Sequence, residues 1–366
     1  MTEKMIIDTI ENCRYCLMCR HVCPVGHVTA KETFTPHGWG LLIASVERGL
    51  LSWNEDTVSA LYNCSDCGTC RAHCVTDQPL PDAIAATRAQ VASQQLAPAV
   101  VYEVNQALEK YGNPYQPQAP QVAAGSGEVA LFVGDEAQYL WPGAVEAAQT
   151  LLKAVGLEPV LVGVGRNNGY MASSLGFPET ARTLAQATLD ELAALGAKQL
   201  LVLSAGDFYT FSVLYADRLD LAWPEDLELL EVTAVLAKAL AEDKIAFNRL
   251  KEYPPYAYVD PTHAVRLPER HAAPRTLLSA ILPEGGGREI FWRKDRAHPS
   301  GNVALQFTNP QIANHLTYSR LGRVAEAGAR VAVCEDPGTL SQLQKFSEMF
   351  RLKVEGLYEL LVSQMK

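Results

Sequence analysis

Two runs of the chain share the cysteine spacing C-x-x-C-x-x-C-x-x-x-C. They are Cys13-Arg14-Tyr15-Cys16-Leu17-Met18-Cys19-Arg20-His21-Val22-Cys23-Pro24 and Cys64-Ser65-Asp66-Cys67-Gly68-Thr69-Cys70-Arg71-Ala72-His73-Cys74. Three thiolates at this spacing can each hold one iron at a corner of a cube, and a more distant cysteine can hold the fourth iron. The spacing therefore predicts two 4Fe-4S clusters.

Zinc and disulfides are the two alternatives for so many cysteines. A structural zinc site needs four thiolates in a tetrahedron, usually from two separated C-x-x-C pairs, so the third cysteine of each run would be surplus. Disulfide frameworks are typical of short secreted chains, and this chain has neither property. The spacing favours clusters over both.

The fourth cysteine of each run decides which thiolates share a cube. In the bacterial two-cluster arrangement, this cysteine ligates the cluster of the other run. That rule predicts one set for cluster 1, Cys13, Cys16, Cys19 and Cys74, and another for cluster 2, Cys64, Cys67, Cys70 and Cys23.

Length and composition limit the other possibilities. The 366 residues are enough for two or three domains. No apolar run approaches the roughly 20 residues of a membrane helix, and the first residues do not resemble a signal peptide. Eight of the nine cysteines lie in the two runs, which fits a reducing compartment, so we expect a cytoplasmic protein. The net charge of -10 argues against a nucleic-acid partner.

The pattern of apolar residues changes along the chain. Helical spacing surrounds and separates the two cysteine runs, and it predicts a helical ferredoxin domain over 1–111. Prolines and glycines then predict a linker over 112–127. Beyond it, short apolar runs alternate with long helical segments, which is typical of parallel sheets.

The alternation occurs twice, which predicts an internal repeat. The first module spans 128–250, with strands expected at 129–133, 159–162 and 199–203. The second module spans 251–366, with strands expected at 256–260 and 329–333. The predicted fold class is thus multi-domain α+β: an N-terminal helical ferredoxin followed by two repeated α/β modules with parallel, Rossmann-like sheets.

Short polar motifs recur in the two modules. The first module contains Gly134-Asp135, Asn167-Asn168-Gly169 and Ser204-Ala205-Gly206-Asp207. The second contains Asp260-Pro261-Thr262-His263, His298-Pro299-Ser300, and Cys334 followed by Pro337.

With these motifs, nearly the whole chain resembles a family of iron-sulfur proteins that fuse a two-cluster helical ferredoxin to two cysteine-rich modules. The iron-sulfur subunits of anaerobic glycerol-3-phosphate dehydrogenase and of glycolate oxidase, and heterodisulfide reductase, are of this kind. The resemblance aligns the motifs with the family's Gly-Cys, Cys-Cys-Gly and Cys-x-x-Cys signatures, so the modules keep the scaffold and have lost most ligands.

This loss bears on the chemistry of the modules. Cleavage of a disulfide at an unusual cluster needs several thiolates, and Cys334 is the one cysteine left in the modules. His263, His298, Cys334 and Asp260 are zinc-compatible, and the first three are the candidates for a vestigial metal site. The alternative is that they are polar residues that fill a vacated pocket.

The resemblance implies an electron-transfer subunit of a multi-subunit oxidoreductase. It would relay single electrons through two 4Fe-4S clusters between a flavoprotein dehydrogenase partner and another carrier, and it would itself be non-catalytic. Any association with a membrane would pass through a partner. The alternatives are a non-redox assembly scaffold with structural clusters, or a disulfide- or metal-dependent reductase acting in the C-terminal modules.

Overall fold

The computed structural model describes residues 3–121 and 125–366. Its N-terminal part is helical, because caps such as Thr35 and Asn54 start helices ahead of apolar residues that pack inward. Asn54 forms a capping box with Thr57. Helices α1–α8 span Glu3–Glu11, Met18–Val22, Pro24–Thr29, Pro36–Glu47, Glu55–Leu61, Thr69–Ala72, Leu80–Ser93 and Ala99–Tyr111.

The first module contains a parallel four-stranded sheet in the order β2-β1-β3-β4. Its strands β1–β4 span Val129–Val133, Val160–Val164, Gln199–Val202 and Glu228–Glu231. Its helices α9–α15 span Gly134–Leu140, Gly143–Ala154, Tyr170–Leu175, Pro178–Leu195, Ala205–Tyr209, Tyr215–Asp217 and Val232–Ala241, and a π-helical turn spans Thr210–Leu214.

The second module contains a parallel three-stranded sheet in the order β5-β6-β7. Its strands β5–β7 span Tyr256–Tyr258, Val331–Cys334 and Lys353–Gly356. Its helices α16–α20 span Ala273–Ile281, Leu305–Thr308, Pro310–Glu326, Pro337–Gln344 and Leu357–Gln364. The predicted fold class is confirmed, whereas the domain boundaries stay a prediction.

The two modules repeat one another in local geometry. Gly301 lies 132 residues after Gly169; both have φ of +94°, and a Cβ on either would collide with a main-chain carbonyl, that of Ala313 or Ala181. Ser204 begins α13 and Asp336, also 132 residues later, begins α19, each accepting a hydrogen bond from the amide three residues on. The two alanines whose carbonyls lie near these glycines are also 132 residues apart. The same spacing at three pairs of positions supports an internal repeat.

The predicted linker, 112–127, is not a free spacer where the structure describes it. The side chain of Asn113 is fully buried, donates to the carbonyls of Tyr111 and Gln118, and accepts from the amides of Tyr115 and Gln116. An asparagine can close turns in this way, which fixes a segment that its proline content alone would leave extended. Residues 122–124 lie outside the described residues.

Two apolar cores join the parts of the chain. One runs from the N-terminal helices, for example Trp39 and Ile43, to Leu175 and Leu200 of the first module. The other lies between the two sheets and includes Leu131, Val333 and Leu357. Within 3–121 and 125–366, no helix is both long and apolar enough to cross a membrane.

Candidate iron-sulfur site

The two cysteine runs form loops with the same backbone conformation. Tyr15 and Asp66 occupy equivalent positions with φ of 52° and 51°, and Leu17 and Gly68 follow with φ of 64° and 78°. The amides of Tyr15 and Asp66 both donate to the sulfur of the cysteine two residues earlier, at 3.4 Å. The shared cysteine spacing therefore corresponds to a shared loop.

The first loop lies near the surface. A cavity of about 60 Å³ is lined by the four cysteines predicted for cluster 1, Cys13, Cys16, Cys19 and Cys74, together with Cys70 and apolar neighbours. Burial, followed by the thiolates of Cys13, Cys74 and Cys16, raises the pKa of Cys19 to about 11. The structure thus brings the four thiols together, while Cys16 itself and the neighbouring Tyr15 and Met18 are exposed.

The second loop is enclosed. Burial, followed by Cys64, Cys67 and Cys23, raises the pKa of the Cys70 thiol well above its usual range. Burial also raises the pKa of Cys23, and its neighbours Cys67 and Cys64 add to that rise. Cys23 therefore lies beside the second run, although it belongs to the first run in sequence.

A buried ion-pair network anchors the second loop to the first module. Both terminal nitrogens of Arg218 donate to the Asp66 carboxylate, at 2.6 and 2.8 Å, and its Nε donates to Asp82 at 2.7 Å. Burial alone would raise the pKa of Asp66, but the Arg218 guanidinium lowers it to about 2. Asp66 is therefore a stable anion between two predicted ligands, Cys64 and Cys67.

Both modules also bind the main chain of the second loop. The Tyr170 hydroxyl of the first module and Nε2 of His263 of the second both donate to the Asp66 carbonyl, at 3.0 and 3.2 Å. Thr69 donates to the carbonyl of Ala297 at 3.4 Å. His298 donates to the carbonyl of Val22, next to Cys23, at 3.1 Å and stacks on Trp292.

The charge around the second loop suits an anionic cluster. Arg88 is 2% exposed, and its guanidinium donates to the main-chain carbonyls of Leu61, Cys64 and Ser174 and to the Ser174 hydroxyl. A buried cation is costly unless negative charge lies nearby. Four thiolates around a cube would supply that charge, so the residues present fit the group that the sequence predicts.

A second cavity, of about 50 Å³, lies between the two modules and is polar. Residues from several of the short polar motifs line it, and so does Tyr170. Tyr170 and His263 of this lining also bind the Asp66 carbonyl of the second loop. The polar residues lining it include Asp135, Glu136, Asn167, Asn168, Ser204, Asp207, Thr262, Asn302 and Asp336. The polar motifs of the two modules therefore meet at one cavity, which Tyr170 and His263 connect to the second loop.

The carboxyl groups of this cavity are difficult to ionise. Burial raises the pKa of Asp135 to about 6 and that of Asp207 to about 7. Burial, with Asp336 and Asp135 as neighbours, raises the pKa of Glu136 well above its usual range. Asn167 and Asn168 donate to Asp135 and Asp207, which satisfies part of each carboxylate.

The structure corrects the alignment of two motifs in the second module. Gly301 is equivalent to Gly169, so the motif is Pro299-Ser300-Gly301 and not His298-Pro299-Ser300. Asp336 is equivalent to Ser204, so the closing motif begins at Asp336, and Cys334 corresponds to Val202 at the end of a strand. The glycine at the end of each motif, Gly169 or Gly301, was the signal that could have fixed the register.

The vestigial metal site has no geometric support. His263 contacts the second loop, His298 contacts Val22, and Cys334 is buried in an apolar cluster with Leu321 and Leu340. In the described ranges, no three His, Cys, Asp or Glu side chains are arranged to hold a metal ion. The cysteines predicted to hold the clusters need not surround a single metal ion. Each iron of a cube binds one thiolate, so the four thiolates lie apart from one another.

The pKa values agree with this separation. Burial lowers the pKa of His263 to about 4 and that of His298 to about 2, and it raises the pKa of the Cys334 thiol well above its usual range. The two imidazoles are therefore neutral hydrogen-bonding groups, and Cys334 is an inert thiol. Sequence reasoning missed the arginines around the second loop, Arg88, Arg218 and Arg266, because no local spacing marks them.

Comparisons with known proteins agree with the geometry of the loops. Residues 9–78 match the 4Fe-4S dicluster domain. This match includes all eight cysteines of the two runs, so the chain is an iron-sulfur protein, and the domain suggests 4Fe-4S clusters and a role in electron transfer.

The comparisons beyond that region concern the fold. No curated protein matches the chain. The chain is similar to the crystal structure of a hypothetical protein from Helicobacter pylori, with a TM-score of 0.64 and 8% identity over 100% of this chain and 73% of that one. At this identity the likeness shows the fold alone.

Proposed function

We propose that the chain is an electron-transfer subunit of a larger oxidoreductase and carries two 4Fe-4S clusters. Cys13, Cys16, Cys19 and Cys74 would hold cluster 1, and Cys64, Cys67, Cys70 and Cys23 would hold cluster 2. The observation that carries the proposal is the grouping of the thiols, in which each buried thiol has neighbours from its own predicted set. A 4Fe-4S cube supplies one-electron storage with little change in geometry.

The surroundings of the two loops suggest different roles. Cys16 is exposed, and so are Tyr15 and Met18 beside it, so an external carrier can approach cluster 1 closely. The second loop is covered by both modules, which keep water away from Cys23 and Cys67. Cluster 1 would exchange electrons with a partner, and cluster 2 would hold them inside the protein.

The partner is proposed by resemblance. The iron-sulfur subunits of anaerobic glycerol-3-phosphate dehydrogenase and of glycolate oxidase suggest a flavoprotein dehydrogenase that oxidises or reduces a small organic substrate. The two cubes would divide its electron pair into single steps. We also propose a cytoplasmic location, with any membrane association made by another subunit.

The test combines purification with spectroscopy. Anaerobic affinity purification of the full chain from its own cells should recover a flavoprotein, and adding that flavoprotein's substrate should generate the paramagnetic signals of reduced cubes. Dithionite provides the reference spectrum of full reduction. Cubes that dithionite reduces but no partner's substrate can reduce would favour the scaffold alternative, and cubes that dithionite cannot reduce would contradict electron transfer.

A further inference from the structure

Arg266 of the second module covers the second cysteine loop. It ends a short 3-10 turn, Ala264–Arg266. Its guanidinium lies against Gly68, which stands between Cys67 and Cys70 in the sequence. A Cβ at position 68 would collide with Nε and Cζ of Arg266. The absence of a side chain at Gly68 is therefore what admits the guanidinium to this position.

One nitrogen of this guanidinium lacks a hydrogen-bond partner among the described residues. One terminal nitrogen of Arg266 donates to the Tyr209 hydroxyl, and the guanidinium lies over the Tyr209 ring at 4.8 Å from its centroid. In the part of the chain that the structure describes, Nε of Arg266 is buried without a hydrogen-bond partner. Burying such a group without a partner is costly, and more so when it is charged, so a partner is expected at this place.

The acceptor atoms of Asp66, next to Cys67, already accept hydrogen bonds from other side chains. The Asp66 carboxylate accepts two hydrogen bonds from Arg218, and the Asp66 carbonyl accepts from Tyr170 and His263. Because Gly68 stands between the predicted ligands Cys67 and Cys70 in the sequence, the sulfurs of the predicted cluster would lie beside this guanidinium.

We propose that Arg266 donates its Nε–H to a sulfur of cluster 2 and thereby raises the reduction potential of this cluster. Reduction adds a negative charge to the cube, and a charged donor stabilises that charge. The first loop has Leu17 at the position of Gly68, so its own Cβ occupies the equivalent space. This inference rests on the proposed clusters. It adds that Arg266, a residue of the second module, sets the difference in reduction potential between cluster 2 and cluster 1.

The test is a potentiometric titration followed by paramagnetic resonance, on the full chain and on R266Q and R266K. We expect R266Q to lower the ratio of reduced to oxidised cluster 2 at a fixed potential by about tenfold, which is 59 mV for one electron. R266K keeps the charge and should shift the ratio less. Cluster 1 in the same sample is the internal standard, and its potential should not change.

A matched variant controls for the loss of a guanidinium in this segment. Arg270 pairs with Glu231 and stacks on Phe208, so R270K should leave the potentials of both clusters unchanged. Iron content and the signal of cluster 1 report whether each variant has folded.

A second measurement detects the hydrogen bond itself. In reduced wild-type protein labelled with 15N-arginine, pulsed resonance should show a nitrogen coupled to cluster 2, and R266K should lose this coupling. An unchanged potential in R266Q together with no arginine coupling in the wild type would overturn the inference. If the wild type shows no cube at all, the proposed function fails instead, so the two failures are distinguishable.

Discussion

The two cysteine loops have the same backbone and opposite surroundings. Tyr15 is 49% exposed, whereas Asp66, its equivalent, is 3% exposed and paired with Arg218. The first loop is bounded mainly by helices of its own domain, while side chains from both modules bind the second. The spacing of the cysteines thus determines the ligand loop, and distant residues determine its environment.

This difference suggests what the modules now do. The modules contain one cysteine, Cys334, and the cavity between them is lined by carboxyl and amide groups. The same modules supply Arg218, Tyr170 and His263 to the second loop. The difference between the loops therefore indicates that the modules enclose the second cysteine loop.

The largest effect should come from breaking the buried ion pair of the second loop. R218M leaves Asp66 buried without its cation, so we expect the free energy of unfolding to fall by about 3–5 kcal/mol. In the first loop, Arg20 pairs with Glu32 with both side chains 47% exposed, so R20M should cost about 0–1 kcal/mol. Anaerobic denaturant titration measures both, and equal losses would contradict the contrast between the loops.

The cavity beside the second loop should make stability depend on pH. Burial raises the pKa of Asp135 from 3.8 to about 6, so its carboxyl is protonated more readily in the folded state than in the unfolded state. Asp135 should therefore lower wild-type stability by up to about 3 kcal/mol as pH rises from 4 through 6, and Asp207, whose pKa is raised to about 7, should add to this fall.

The variant D135N tests this dependence because it removes the ionisation while an amide oxygen can still accept from Asn167. At pH 4, where the wild-type carboxyl is protonated in the fold, the stability of D135N relative to wild type should be at its lowest. This relative stability should increase up to about pH 7, as measured by denaturant titration at each pH. A difference that stays constant over this range would show that Asp135 ionises freely in the fold.

The smallest effect compares one loop position directly. Gly68 and Leu17 share a left-handed backbone, but only Gly68 is covered by a guanidinium. G68A should cost roughly 1–2 kcal/mol from backbone strain alone, together with a displaced Arg266 and a lower potential of cluster 2. L17A, which produces the same residue in the exposed loop, should cost less than about 1 kcal/mol and leave the potentials unchanged.

Parts of the fold could be predicted because they depend on local pattern. Val129–Val133 and Gln199–Val202 are almost continuous apolar runs, which identify central strands buried on both faces. The strands β4, Glu228–Glu231, and β7, Lys353–Gly356, were missed. Both lie at the edge of a sheet and carry charged residues, so their sequences do not show the apolar run of a central strand.

The site was predictable to the same extent. The cysteine spacing gave the loops and their residues, but the cover of the second loop comes from residues such as Arg218 and His263, over 150 residues away in sequence. In the second module, the sequence alignment used His298 and Cys334 and left out Gly301. The backbone conformation of Gly301 matches that of Gly169 and so fixes the register between the two modules. Contacts between distant segments leave no spacing that a single sequence reveals.

A coulometric reductive titration of the anaerobically purified chain, followed by paramagnetic resonance, tests the central claim most directly. Two 4Fe-4S clusters should take up two electrons per chain in two one-electron steps, and each step should give a cubane signal. A chain that accepts no electrons, or only one, or that contains zinc in place of iron, would contradict the account.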